Sequence, residues 1–221
     1  MIEHKFRGHT FQFEDTPTAP DLIKEIFSDN YKVFEKDIKF DKDDVILDVG
    51  ANEGMFSIMM SKCFPHTRII AFEPVPSTHL TLTKNIQNNN CKNIEPNNYG
   101  IGKKGEVSVK LIVAKGASGG STALGTFNPE HHYEVDVPVF SLDNIFDLCG
   151  IKVCRLLKMD IEGMEYDVLY SSTVLQKVDY MTAEFHMNQR LEFQTRRAEG
   201  LAVWVGNQTN LINLQLCRMC E

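Results

Sequence analysis

Four carboxylates lie close together in the stretch LLKMDIEGMEYDVL, which runs from residue 156 to residue 169. They follow an apolar run and are Asp160, Glu162, Glu165 and Asp167. Carboxylate oxygens of this kind can bind Mg²⁺ or Ca²⁺. Acidic residues in the first turn of a helix also stabilise the helix dipole without any ligand. We expect Asp160 to act at a reaction site and expect no metal, and the pattern leaves site and capping roles open for Glu162 and Glu165.

A second chemically suited group is the turn DVGANEG, residues 48–54. Its glycines let the backbone approach a ligand, and the helix that follows offers free N–H groups. The Gly-x-x-x-Gly spacing is wider than the G-x-G-x-x-G pattern of dinucleotide sites. The turn also carries an acid, which repels a diphosphate but tolerates a sulfonium or ammonium group. These features favour S-adenosylmethionine over a nicotinamide dinucleotide.

Specific roles follow for the residues of this turn and of the next strand end. The methionine part of the cofactor is expected to contact Asp48, Gly50, Ala51, Asn52 and Gly54. Asp48 is expected to face the methionine ammonium, and a structural Asp48 that fixes the turn is the alternative. Glu73 ends the next apolar run, where an acid can accept hydrogen bonds from the two ribose hydroxyls.

Polar residues at other strand ends are expected at the same edge, because ligands of an open parallel sheet bind beyond the carboxyl ends of its strands. Asn98 and Tyr99 are predicted to border the adenine, although a tyrosine there can equally belong to the core. His186 is the candidate base that takes a proton from an acceptor hydroxyl, because an imidazole titrates near neutral pH. A structural His186 is the alternative, and His131 and His132 are expected to be exposed.

The elements that must place these residues alternate between strand and helix from residue 45 onward. Such βα units predict a parallel sheet with helices on both faces. Two runs of period-two alternation, at 107–113 and 133–139, predict an inserted β-hairpin. Other strands are predicted at 9–14, 44–50, 67–74, 92–102, 153–159, 178–186 and 211–217. Helices are predicted at 19–29, 54–64, 76–90, 141–150, after Gly163 and at 188–206, with Ser77 and Ser141 as caps.

A glycine-rich segment, residues 116–125, joins the two hairpin strands. A loop of this length inside a compact domain is usually functional or disordered. Ser118, Ser121 and Thr122 would offer hydroxyl contacts if the loop formed a lid or a wall of the acceptor site. A flexible connection without a role is the alternative.

The order of the motifs resembles that of the FkbM-type methyltransferases over about residues 30–190. The similar segments are DVGANEG at 48–54, FEP at 72–74, SLD at 141–143 and KMDIEGME at 158–165. The resemblance implies a Rossmann-like class I methyltransferase fold. It also implies methyl transfer from S-adenosylmethionine to a hydroxyl group of a sugar, a polyketide or another small molecule. Class I enzymes usually add an antiparallel seventh strand, but only four residues follow 217, so either that strand is missing or our last two assignments are shifted.

Composition and charge indicate which partners and which cellular location to expect. The formal charge of −7 argues against nucleic acid as a partner. No apolar stretch is long enough to span a membrane, and the N-terminus lacks the apolar core of a signal peptide. We therefore expect a cytoplasmic protein whose cysteines are reduced. Cys217 and Cys220 are expected to be ordinary thiols. We predict one compact domain, with residues 1–44 as an extension packed on 45–221.

The sequence therefore predicts an S-adenosylmethionine-dependent methyltransferase that acts on a hydroxyl of a small molecule or glycan. A cofactor-binding domain without catalysis is one alternative. A nicotinamide-dependent oxidoreductase is the other.

Overall fold

The computed structural model describes residues 1–36, 38–116, 121, 128–187 and 192–218. Its strands are β1 (Ile2–Phe6), β2 (His9–Phe13), β3 (Val45–Val49), β4 (Arg68–Phe72), β5 (Ile94–Asn97), β6 (Gly100–Ile101), β7 (Ser108–Ala114), β8 (His132–Phe140), β9 (Cys154–Met159), β10 (Val178–Met187) and β11 (Asn210–Arg218). Its α-helices are α1 (Ala19–Asp29), α2 (Met55–Cys63), α3 (Pro76–Asn88), α4 (Leu142–Leu148), α5 (Glu165–Ser171) and α6 (Glu192–Gly206). Short 3₁₀ segments cover Asn30–Glu35 and Leu175–Lys177.

The central sheet has the strand order β11-β10-β9-β3-β4-β5, and every neighbouring pair in it is parallel. The chain reverses its direction across the sheet between β5 and β9, so β3 and β9 lie side by side at its centre. Ligands bind at such a switch point in open α/β sheets. The predicted Rossmann-like α/β fold is confirmed. In the described part of the chain this sheet has six strands and no antiparallel seventh.

The central strands are buried on both faces, as is usual for parallel sheets. Successive residues of β3 show this, because Ile46 and Leu47 are both fully buried but belong to different apolar clusters. One cluster contains side chains of α2, α3 and residues 1–44, which we call the N-terminal segment. The other contains side chains of α4, α5 and α6. The described helices therefore cover both faces of the sheet.

The inserted hairpin is present, and it pairs β7 with β8 antiparallel from Ser108↔Pro138 to Ala114↔His132. The single strand that we predicted at 92–102 is wrong in extent. It divides into β5, which belongs to the central sheet, and β6, which pairs with β8 instead. The chain thus leaves the central sheet after Asn97 and enters the small sheet that carries the hairpin.

The N-terminal segment packs against the helix face formed by α2 and α3. Strand β1 was not predicted; it pairs with β2 through a tight turn at Arg7 and Gly8, both with positive φ. Phe11 and Phe13 are fully buried and share an apolar cluster with α2. The division into an extension at 1–44 and a domain at 45–221 stays a prediction.

The helix caps follow the sequence in one case and differ in another. Ser141 caps α4, and its side chain and that of Asn144 form a reciprocal capping box. Ser77 does not cap α3, because the helix begins one residue earlier at Pro76, whose missing N–H suits the first helical position.

None of the helices in the described residues is long and apolar enough to cross a membrane. The cytoplasmic location stays a prediction. The described cysteines Cys63, Cys91, Cys149 and Cys154 are free thiols. Cys220 lies outside the described residues, so the interpretation of the last cysteine pair is also untested.

Candidate functional site

The turn after β3 and the end of β9 form one unit at the centre of the carboxyl edge. Gly50 has φ +79, and a Cβ atom built on it would lie 1.7 Å from the backbone oxygen of Asp160. The backbone N–H of Asp160 donates to the oxygen of Val49 at 3.0 Å. Only glycine allows this approach, because both the steric contact and the left-handed backbone exclude a side chain. The predicted neighbourhood of Gly50 and Asp160 is therefore imposed by the backbone itself.

A cavity opens from this unit along the carboxyl edge, with ≈ 730 Å³ of empty space that includes its opening to solvent. Its polar wall includes Asn52, Glu73, Asp160 and Glu162. The apolar wall is contributed in part by the inserted hairpin, and its residues are Phe72, Pro74, Val75, Ile101, Val109, Leu111, Val137, Val139, Ile161 and Met164. Ser121 also lines the cavity. Ser118 and Thr122 lie outside the described residues, so their predicted contacts are not tested.

Glu73 lines this cavity and is 7% exposed. Its two carboxylate oxygens accept hydrogen bonds from the backbone N–H groups of Asn52 and Val75, each at 2.9 Å. Burial raises the pKa of Glu73 to about 7, and the two backbone hydrogen bonds oppose that rise only in part. The carboxyl is therefore fixed in position and faces the cavity from the end of β4.

Asn98 and Tyr99 do not line the cavity, although we expected them at the adenine. The side-chain amide of Asn98 donates to the backbone oxygens of Glu73 and Pro74, at 2.9 and 3.0 Å. The Tyr99 ring packs against the rings of Phe72 and Phe140. Because the chain turns away from the central sheet here, it is the neighbouring Gly100 and Ile101 that line the cavity. Contact of Asn98 and Tyr99 with an adenine stays a prediction without support from their positions.

Asp48 is fully buried behind the turn and lines neither of the two cavities described here. One of its oxygens accepts a hydrogen bond from Ser57 Oγ at 2.6 Å, and the other lies 3.4 Å from Lys158 Nζ. Lys158 also donates to the backbone oxygen of Gly50 at 2.6 Å. These contacts fit the structural alternative for Asp48 better than a direct contact with the methionine ammonium.

Lys158 itself is a buried cation that the sequence motif contained but that we did not single out. Burial lowers its pKa, but the charges of Asp48, Asp160 and Glu184 outweigh that effect, so the pKa lies above its usual value. Lys158 therefore stays charged and holds the ends of β3 and β9 together. This contact spans more than a hundred residues of sequence.

A second, smaller cavity borders the same turn, with ≈ 330 Å³ of empty space that includes its opening to solvent. Its walls include Glu25 and Tyr31 from the N-terminal segment, and Ala51, Asn52 and Asp160. Asn52 lines both cavities, and its side-chain oxygen is buried with no hydrogen-bond partner among the described residues. A buried acceptor of this kind requires a donor. The two cavities meet at Gly50, Asn52 and Asp160, the residues that line both.

Gly54, the last residue of the turn, does not face either cavity. It has φ +87, and a Cβ there would lie 2.3 Å from Leu82 Cδ1 of α3. Its preceding neighbour Glu53 is almost fully buried and accepts hydrogen bonds from the hydroxyls of Thr16 and Thr18, at 2.8 to 3.0 Å. These contacts attach the N-terminal segment to the turn.

Tyr31 enters the site from the N-terminal segment, and no sequence motif pointed to it. Its hydroxyl donates to Asp160 Oδ2 at 3.0 Å, and its backbone oxygen accepts from Thr182 Oγ1. Tyr31 and Lys32 both have left-handed backbones, with φ 49 and φ 57. Such a conformation costs about 1–2 kcal/mol for each residue that is not glycine. Consecutive left-handed residues are found where the surrounding contacts hold them, and here those contacts include Asp160.

His186 lies at the end of β10 among three carboxylates. Its Nδ1 is 2.9 Å from Glu165 Oε1, and its Nε2 is 3.4 Å from Glu162 Oε2 and 3.8 Å from Asp160 Oδ1. Burial lowers the pKa of His186, but the hydrogen bond to Glu165 and the three negative charges outweigh it and raise the pKa to about 9. The imidazole is therefore charged at neutral pH in the free protein, whereas a general base must be neutral before it accepts a proton.

Glu162 and Glu165, whose roles the sequence left open, differ in their surroundings. Glu165 is fully buried and accepts hydrogen bonds from the backbone N–H groups of Ile161 and Gly163 as well as its contact with His186. Glu162 lines the larger cavity. Glu165 thus holds the loop and the imidazole in place, and Glu162 lies at the wall of the larger cavity, 3.4 Å from His186 Nε2. His131 is exposed and His132 half-exposed, and the described contacts of His132 are with Asn128.

Comparison with known proteins adds a family. The model of the methyltransferase FkbM domain matches residues 48–210. A protein of Beauveria bassiana named methyltransferase 1 is 32% identical over 67% of this chain and 65% of its own length. A protein of Haloferax volcanii named hexuronic acid methyltransferase AglP is 28% identical over 66% of this chain and 57% of its own length. The chain thus spans less than two thirds of either relative.

Among solved structures, a precorrin-6y C5,15-methyltransferase from Geobacter metallireducens aligns with 78% of this chain and 68% of its own, at 16% identity and a TM-score of 0.43. The fold assignment rests on the strand order described above.

Proposed function

Because the chain belongs to the FkbM methyltransferase family, we propose that it transfers a methyl group from S-adenosylmethionine to a hydroxyl oxygen of a small molecule or glycan. The observation that carries the proposal is the pair of cavities that meet at Gly50, Asn52 and Asp160. An elongated ligand can lie across this junction with its two ends in different cavities. When bound, S-adenosylmethionine supplies an electrophilic methyl group on a positively charged sulfur.

The larger cavity suits the adenosine part. Glu73 presents a carboxylate held by two backbone N–H groups, and its remaining lone pairs can accept from ribose hydroxyls. The apolar wall from β4 and the hairpin, including Val109 and Val137, suits the faces of an adenine ring. We expect the binding of the ribose to favour the charged form of Glu73, because only the charged form accepts on all its lone pairs.

The smaller cavity suits the methionine part. The buried side-chain oxygen of Asn52 lacks a described donor and can accept a hydrogen bond from an ammonium. Glu25 adds a carboxylate to the same cavity. The acceptors named here are a carboxylate and an amide oxygen, which fit a cationic amino-acid group and do not fit a diphosphate. The nicotinamide alternative is therefore weaker than S-adenosylmethionine.

Asp160 lines both cavities, which supports a role for its carboxylate beside the sulfonium and the acceptor. Tyr31 and Lys158 hold Oδ2 of this carboxylate, at 3.0 and 3.7 Å, and leave Oδ1 on the side of His186, 3.8 Å from its Nε2. The main contribution to rate in this site comes from holding the acceptor oxygen and the methyl carbon in line. His186, whose imidazole is charged in the free protein, serves as a base only after a bound cation has lowered its pKa.

The acceptor class is suggested by the relative that is named for hexuronic acid. A uronic acid offers hydroxyls beside a carboxylate, so we propose sugars of this kind as the first acceptors to examine. No nucleic acid is proposed as a partner, because the chain is acidic.

Calorimetry with S-adenosylmethionine, S-adenosylhomocysteine and NAD separates the cofactor classes. We expect the first two to bind and NAD not to bind, and binding of NAD alone would contradict the proposal. Transfer is then measured with a labelled methyl group and panels of uronic acids, neutral sugars and hydroxylated metabolites. Failure to label any acceptor class with cofactor-loaded protein would favour the alternative of a cofactor-binding domain without catalysis.

A further inference from the structure

We propose that Asp160, Glu162 and His186 form a binding site for one divalent transition-metal ion beside the larger cavity. Each residue offers one ligand atom, and these three atoms lie within 4.8 Å of one another. Two carboxylate oxygens and one imidazole nitrogen form a mixed set that suits ions such as Mn²⁺ or Fe²⁺. The sequence had led us to expect no metal.

The two distances from His186 Nε2 to the carboxylate oxygens fit a shared ion better than direct pairing. His186 Nε2 lies 3.4 Å from Glu162 Oε2 and 3.8 Å from Asp160 Oδ1. A charge-assisted hydrogen bond between such groups is shorter, about 2.7–2.9 Å. Two ligands that each lie about 2.1 Å from one ion are separated by roughly 3–4 Å, depending on the angle at the ion. The observed distances are in that range.

Two of the three ligand residues, His186 and Asp160, are also held by neighbouring residues, through atoms that would not bind the ion. Glu165 lies 2.9 Å from Nδ1 of His186, which leaves Nε2 directed to the two carboxylates. A carboxylate behind the histidine in this way is the usual support of a metal-binding imidazole, because it fixes the tautomer and the orientation of the ring. Tyr31 donates to Oδ2 of Asp160, so Oδ1 is the oxygen that faces His186.

Glu165 and Tyr31, which hold these ligand residues, are themselves fixed in position. Glu165 is fully buried and is held by the backbone N–H groups of Ile161 and Gly163. Tyr31 is 2% exposed. Ligand atoms that are held from behind lose little conformational freedom when an ion binds, which favours affinity.

An ion at this position would lie next to the larger cavity, because Asp160 and Glu162 line it. The open coordination positions would then be available to an acceptor hydroxyl. A hydroxyl or water bound to a divalent ion is more acidic than a free one. In this arrangement His186 would be a ligand through Nε2, whose proton is released to solvent when the ion binds. The proton of the bound acceptor hydroxyl would likewise pass to water, so His186 is not needed as its base.

The test titrates the full chain with Mn²⁺ alone, without cofactor or acceptor, and follows free Mn²⁺ by electron paramagnetic resonance. We expect one Mn²⁺ per chain. We expect Glu162→Gln to weaken binding at least about 10-fold, and Glu165→Gln to weaken it about 10–100-fold, as is typical of residues that support a ligand from behind. His132→Asn, which changes a histidine of the inserted hairpin, is the matched control and should leave the affinity unchanged.

A spectroscopic measurement distinguishes an ion that is coordinated by His186 from a loosely bound counterion. Electron spin echo modulation of the bound Mn²⁺ should show coupling to an imidazole ¹⁴N, and His186→Gln should abolish it. Glu162 is partly exposed, so its substitution tests the site even if a buried variant does not fold. Absence of stoichiometric binding, or an affinity that neither Glu162→Gln nor His186→Gln lowers, would overturn the proposal. Since no cofactor is present, this outcome is independent of whether methyl transfer occurs.

Discussion

Replacement of Gly50 by alanine tests the contact that joins the ends of β3 and β9. The new Cβ would lie 1.7 Å from the backbone oxygen of Asp160, and a backbone atom cannot rotate out of the way as a side chain can. The variant must therefore separate the two strand ends and weaken the hydrogen bond from the Asp160 N–H to Val49. Alanine at φ +79 adds the cost of a left-handed backbone.

Two contributions make up the expected loss of stability. A left-handed residue other than glycine costs about 1–2 kcal/mol. Insertion of an atom into a packed site costs about 1–3 kcal/mol more. We therefore expect Gly50→Ala to lower the free energy of unfolding by about 2–5 kcal/mol, measured by urea denaturation.

The matched control is Gly8→Ala in the turn between β1 and β2. Gly8 has φ +82, nearly the same as Gly50, but nothing lies within 4 Å of a Cβ built on it. It should lose only the backbone contribution of about 1–2 kcal/mol. The difference between the two variants measures the contact with Asp160. Equal losses in the two variants would show that this contact does not constrain the turn.

Three further substitutions test other parts of the site and fold. Burial raises the pKa of Asp143, but hydrogen bonds from Lys104 and Thr173 outweigh that effect and hold it at about 2, so Asp143→Asn should cost up to about 2 kcal/mol at pH 7. That cost should shrink as the pH falls from 4 towards 2, because the stabilisation by a carboxyl with a depressed pKa is complete only above its pKa in the unfolded chain. A difference between the urea midpoints of the two proteins that does not change with pH would argue against this. Glu73→Gln should weaken S-adenosylmethionine binding in calorimetry at least about 10-fold, whereas Glu95→Gln on the neighbouring strand should not, and equal affinities would remove Glu73 from the proposed ribose site. Lys158→Met leaves buried carboxylates without their cation and should cost about 3–5 kcal/mol, and an unchanged thermal midpoint would contradict that ion pair.

The parts of the site that the sequence predicted are those fixed by local pattern. Gly50 and Glu73 each follow an apolar run, and the carboxyl ends of parallel strands meet at one edge, so their approach follows from topology. The capping box at Ser141 and Asn144 is also local, because both partners lie in one helical turn. Asp160 was placed for the same reason as Gly50.

The parts that the sequence did not predict depend on contacts between distant residues. Tyr31 reaches Asp160 across 129 residues, and Lys158 reaches Gly50 across 108. No spacing rule relates such pairs. The charge state of His186 also could not be read from its residue type, because it depends on carboxylates brought from another strand end. Asn98 and Tyr99 lie off the larger cavity because the chain leaves the central sheet after Asn97, which the sequence gives no sign of, and their contact with an adenine stays a prediction.

The attachment of the N-terminal segment shows that the site is assembled from two parts of the chain. Thr16 and Thr18 bind Glu53, and Tyr31 binds Asp160, yet all three donors lie among the 47 residues that precede the family match. The smaller cavity has walls from both parts, because Glu25 and Tyr31 line it together with Asn52 and Asp160. A ligand in this cavity would therefore contact side chains that the family match does not include, and its recognition would depend on both parts.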